Sequence, residues 1–130
     1  MATVRNFEEL DVWNVSRILS EKIIELIRAG RFDNNFALID QLRRSSGSVM
    51  DNIAEGFERG SKAEFLVFLG YAKGSCGELR SQLQRVKMNN YVDKGEFEEL
   101  NDLAVQIGKM LYGLIRYLQR STYSGIRKKM

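Results

Sequence analysis

The sequence predicts an all-α protein, an antiparallel up-down-up-down four-helix bundle. Three observations lead there. The 130 residues contain no proline, so nothing forbids long helices. Apolar residues recur at steps of three and four along four segments of similar length, with no competing strand-like alternation. Short breaks at 30–35, 59–62 and 88–93 separate those segments, and links this short turn each helix back along its predecessor.

The first segment, 7–29, has Asn6 as its candidate cap with Glu9 three residues on. Its stripe is Val12, Val15, Leu19, Ile23 and Leu26, widened by Trp13, Ile24 and Ile27, and Gly30 suits its stop. The second, 36–58, places Ile39, Leu42, Ser46, Val49, Ile53 and Phe57 on one side, and Gly60 breaks it. The third opens on Ser61-Lys62-Ala63-Glu64, which predicts a capping box in which the serine oxygen and the glutamate each satisfy a backbone amide. Its core stripe is Phe65, then Phe68 or Leu69, then Ala72, Cys76, Leu79, Leu83 and Val86. The fourth follows Asp93-Lys94-Gly95-Glu96, a similar box with aspartate as the cap, and runs Phe97, Leu100, Ala104, Ile107, Leu111, Leu114 and Leu118. A heptad sustained over that length predicts helices packed at small crossing angles. Residues 1–120 are expected to form the bundle and 121–130 a basic C-terminal tail.

Composition removes several chemistries. The chain has no histidine, which excludes Ser-His-Asp triads, histidine acid–base catalysis, most zinc sites and the Glu-x-x-His di-iron signature. Its single cysteine, Cys76, cannot form an internal disulfide and reads as a small buried hydrophobe, which fits a reducing cytoplasm. The first ten residues carry charges and no apolar stretch of signal-peptide length, and nowhere do about 18 apolar residues follow one another, so neither export nor a membrane span is expected. No metal or cofactor is expected, and no enzymatic activity. Gly70, Gly74 and Gly77 share one side of the third segment but lack the spacing of a phosphate loop. Each costs about 1 kcal/mol against alanine inside a helix, and close approach of a neighbouring helix is the expected compensation.

A second, polar seam runs along the second segment through Gln41, Ser45, Ser48, Asn52, Glu55 and Arg59, with Arg44 at its edge. The third segment offers a counterpart in Gly74, Ser75, Glu78, Gln82 and Arg85. Polar groups between helices need hydrogen-bond partners, and an Arg43 or Arg44 guanidinium between Glu55 and Glu78 would be one way to supply them. Three readings stay open: a satisfied network fixing helix register or a subunit contact, a surface for nucleic acid, and acid–base catalysis by the two glutamates. The last lacks a nucleophile, a metal set and a recognisable pocket.

The run from Gln41 to Gly56, QLRRSSGSVMDNIAEG, together with Gly74-Ser75-Cys76-Gly77-Glu78-Leu79 and Phe7-Glu8-Glu9-Leu10-Asp11-Val12-Trp13, resembles the four-helix bundle proteins encoded in intervening sequences of bacterial 23S ribosomal RNA, often labelled S23 ribosomal proteins. The resemblance extends over residues 7–118. It implies a homo-oligomer, a ring of five, associated with RNA and without a known reaction. It marks Arg43, Arg44, Ser48, Asn52, Glu55, Ser75 and Glu78 as the motif's polar positions.

The charge distribution bears on the RNA reading. There are 20 basic and 17 acidic side chains, and the basic surplus lies wholly beyond residue 60. Lys73, Arg80 and Lys87 are spaced seven apart, away from the core seam, while Arg116, Arg120, Arg127, Lys128 and Lys129 crowd the C-terminal end. These eight are the candidate phosphate contacts. A net charge of +3 is modest for one chain and becomes substantial when copies assemble. Tyr71, Tyr112, Tyr117 and Tyr123 could stack on bases, but no RNP-type aromatic motif is present, and recognition of structured RNA by shape and phosphates is preferred. The expected function is a non-enzymatic cytoplasmic ring binding RNA or an RNA-associated protein. The alternative is a scaffolding ring without nucleic-acid contact.

Overall fold

A computed structural model of the chain describes residues 4–121. The elements are a 3-10 turn, Phe7–Glu9, and four α-helices: α1 Asp11–Arg28, α2 Phe36–Glu58, α3 Lys62–Met88 and α4 Lys94–Arg120. The contacts between them run antiparallel. From α2 to α3, Gln41 meets Arg85, Ser45 meets Gln82, Ser48 meets Ser75 and Gly56 faces Phe68, so one number rises as the other falls. From α3 to α4, Cys76 meets Ala104 and Lys87 meets Phe97 in the same sense. Helix α1 packs on α2 and α4, and the backbones of neither diagonal pair of helices come close among the described residues. The architecture is therefore a four-helix bundle closed around one core.

That core is the set of heptad positions. Leu19 and Ile23 of α1, Leu42, Val49, Ile53 and Phe57 of α2, the whole α3 stripe and all but Leu114 of the α4 stripe are buried. At the position left open between Phe68 and Leu69, Leu69 enters the core. Phe68 is half-buried, with Arg59 over its ring.

Two caps depart from expectation. Asn6 makes no capping bond, and α1 begins only after Leu10, whose backbone is extended. Residues six apart lie on different sides of a continuous helix, so Phe7 reaches Trp13 (centroids 5.1 Å apart) only because the chain turns between them. Ser61 accepts from the Glu64 amide at 3.1 Å, but the expected return bond is replaced by an ion pair from Glu64 to Arg59. The Asp93/Glu96 box is complete.

At one end of the bundle the α1–α2 and α3–α4 links clasp each other. Phe32 is buried edge-on against Tyr91. Arg31 donates to both carboxylate oxygens of Glu96, at 2.9 and 2.7 Å, and to the Tyr91 carbonyl at 3.2 Å. The guanidinium holds the Glu96 carboxyl at about 2, well below the ordinary 4.5. Gly30 and Gly60 take the positive φ their turns require, +70° and +84°.

Candidate nucleic-acid interface

The outer sides of α3 and α4 meet along a groove of about 410 Å³. Lys73, Gly77 and Arg80 line it from α3, and Gly108, Lys109 and Tyr112 from α4. Seven-residue spacing on α3 sets Lys73 and Arg80 on one edge, about 10 Å apart along the axis. The antiparallel register brings Lys109 opposite Lys73. None of the three cations forms an ion pair among the described residues, and no carboxylate lines the groove. Beneath them Cys76 is buried and donates to the Ala104 carbonyl at 3.3 Å. Burial pushes its thiol pKa up, against the fields of Arg80 and Lys73, so it stays protonated and is a poor nucleophile.

The glycines of α3 do not do what their spacing suggested. A Cβ at Gly70, Gly74 or Gly77 would meet nothing within 4 Å among the described residues, so no described helix closes on them. The close approach is at Gly56 instead, where a Cβ would lie 2.6 Å from the Cβ of Phe68 and 3.0 Å from Cδ1 of Phe65.

The remaining predicted cations are dispersed. Lys87 places its ammonium over the Phe97 ring, 4.8 Å from the centroid and outside the groove lining. Arg116 donates to the Tyr112 hydroxyl at 3.0 Å, which joins it to the groove's edge. Arg120 is exposed at the end of α4. Arg127, Lys128 and Lys129 lie outside the described residues.

Along the polar seam, small side chains join α2 to α3. Ser45 donates to Gln82 Oε1 at 2.6 Å with both residues buried, and the Ser48 and Ser75 hydroxyls share a hydrogen bond at 2.9 Å. Asn52 donates to the Ser48 carbonyl and hydroxyl, and Arg85 donates to Gln41 at 2.7 Å. No buried side-chain nitrogen or oxygen among the described residues lacks a partner. The expected arginine bridge does not form. Arg44 pairs with Asp40 of its own helix, Arg43 is exposed, and Glu55 pairs with Arg59. Glu55 lies at the level of Phe68, whereas Glu78 lies between the Ser45 and Ser48 levels, more than two turns or about 13 Å along the seam. They do not form a carboxylate pair. No group of three potential metal ligands occurs among the described residues, and no described helix is long and apolar enough to cross a membrane.

Residues 8–113 match the sequence profile of the family described as 23S rRNA-intervening sequence protein. The chain belongs to that family. A crystal structure of a protein with unknown function from the S23 ribosomal protein family, from Bacteroides thetaiotaomicron VPI-5482, shares the fold with a TM-score of 0.75 at 24% identity. The similarity covers 81% of this chain and 98% of that one. No curated protein matches the sequence.

In this member of the 23S rRNA-intervening sequence protein family, the central motif divides by depth. Ser45, Ser48 and Gly56 meet α3, and Asn52 holds Ser48 from within α2, while Arg43, Arg44 and Glu55 remain on the surface. Lys109 is the groove residue that sequence reasoning missed. Its signal was available in the topology: antiparallel α3 and α4 bring residues near 73 and 109 to the same level.

Proposed function

We propose that the protein is a non-enzymatic, cytoplasmic RNA-binding oligomer, a ring of five, that holds RNA phosphates along the α3–α4 groove. The observation that carries this reading is the placement of Lys73, Arg80 and Lys109 around one groove without a carboxylate partner among the described residues. Unneutralised cations gathered on one surface cost self-repulsion, and a polyanion relieves it while releasing its own counterions. The family's name, which refers to an intervening sequence of 23S rRNA, supports RNA as that polyanion.

The test is binding of a labelled RNA hairpin over a salt series, comparing the protein with its Lys73→Ala/Arg80→Ala/Lys109→Ala variant. Affinity should fall steeply with salt, and the variant should bind more weakly with a slope shallower by about one unit for each phosphate no longer neutralised. Equal slopes for the two proteins overturn the groove as the interface. A scaffolding ring is the second reading, favoured by the uncovered backbone at Gly70 and Gly74 beside exposed Val67 and Tyr71. It predicts assembly without salt-sensitive RNA binding.

A further inference from the structure

Resting on that reading, we infer that the α3–α4 groove takes an unpaired stretch of RNA, with a base stacked on Tyr112 and the flanking phosphates held by Lys73, Arg80 and Lys109. The argument starts from Tyr112, which is 52% exposed although it is a large aromatic at the groove's rim. Its hydroxyl accepts from Arg116 at 3.0 Å, and the guanidinium carbon stands 5.7 Å from the ring centroid. The guanidinium thus lies over one face of the ring as well as on its hydroxyl, which fixes the ring's orientation, so a base would stack on the opposite face. Space beside it is open, because Gly108 precedes it by one turn and Gly113 follows it, and a Cβ at either would meet nothing within 4 Å. Across the groove Gly77 likewise projects no side chain.

An aromatic platform beside unpaired cations is the combination that binds single strands. The ring supplies a face to any base, and the cations follow the backbone. A duplex cannot use this platform, since its bases are already stacked on each other and its major groove is too narrow for side chains to enter. Lys73 and Arg80, about 10 Å apart along the axis, are far enough apart to serve different phosphates. The site therefore distinguishes unpaired from paired RNA by what Tyr112 can reach.

The experiment measures affinities of the full chain for a labelled oligoadenylate of about twelve nucleotides and for an RNA duplex of the same length, in one buffer. Tyr112→Leu removes the aromatic face at an exposed position, and Tyr112→Phe keeps it while deleting the hydroxyl. Melting curves and sedimentation confirm that both variants fold and assemble as the parent does. The parent should prefer the oligoadenylate. Tyr112→Leu should lose roughly tenfold on it and nothing on the duplex, and Tyr112→Phe should retain most of the affinity. Equal effects of Tyr112→Leu on both RNAs, or no effect on either, overturn the inference while leaving groove binding intact. Polyglutamate competing as well as the oligoadenylate also overturns it, because a general anion surface has no use for the ring. Absence of any binding by the parent at low salt ends both this inference and the proposed function.

Discussion

Two glycines that look alike in the sequence have opposite consequences. At Gly56 an added Cβ would stand 2.6 Å from Phe68 Cβ and 3.0 Å from Phe65 Cδ1, so α2 and α3 would have to separate. Gly56→Ala should lower stability by about 1–3 kcal/mol, despite alanine's better helix propensity. At Gly77 nothing lies within 4 Å, and Gly77→Ala should raise stability by about 0.5–1 kcal/mol. Urea denaturation of the two variants checks both signs, and a stable Gly56→Ala would mean that the helices are not in close contact there. Both residues sit inside helical periodicity, and only the rotation of each helix about its axis, set by the assembled core, decides which one is covered. The Arg31–Glu96 pair was equally hidden, because Arg31 lies in the α1–α2 link and Glu96 in the first turn of α4, and they meet only when the bundle closes. Its effect appears in acid. Glu96 titrates at about 2 in the folded chain against 4.5 ordinarily, so the unfolded chain binds more protons between those values. Stability contributed by the pair is complete above about 4.5 and is lost as pH falls through about 2. Urea midpoints between pH 2 and 5 should therefore fall more steeply with acid for the parent than for Arg31→Gln, and parallel curves would remove the pair from the account.

The elements themselves were largely legible. The limits of α2 agree with the apolar stripe and its breaks, and Ser61 and Asp93 cap α3 and α4 as their local sequences indicate. Period and capping are short-range properties, so one sequence suffices to read them. What escaped was the choice between equally good local partners. Glu64 could serve Ser61 or Arg59, and takes Arg59. Arg44 could cross to α3 or pair with Asp40 one turn back, and the local pair wins without ordering a long side chain across the seam. Serine hydroxyls, which lose little rotamer freedom when ordered, join the seam at Ser48–Ser75 and meet Gln82 at Ser45, and Arg85 reaches Gln41 at its exposed end. Gln82→Ala should cost about 1–2 kcal/mol, because Ser45 loses its 2.6 Å acceptor in a buried setting. Glu78→Gln should leave the melting temperature unchanged, since Glu78 is exposed and forms no ion pair with a described residue. Thermal melts of the two variants separate the buried part of the seam from its surface part, and similar losses in both would show that Glu78 belongs to the network.

For the molecule as a whole, charge and copy number decide whether the groove is useful. One chain carries a net +3, and its groove brings three cations to a strand that bears a charge at every phosphate. Three exposed cations at physiological ionic strength are screened beyond about 8 Å and give weak attachment. A ring repeats the groove on each subunit, and once one copy holds the strand the next engages it at high effective concentration. The expected behaviour follows from this linkage. Diluting the protein through its assembly range, followed by sedimentation, should weaken RNA binding in step with the loss of the oligomer, although every groove remains intact. The effect should require an RNA long enough to span two grooves, and a short oligonucleotide should bind equally well before and after dissociation. Single chains binding long RNA as tightly as the assembled particle would show that one groove suffices and that assembly serves another purpose.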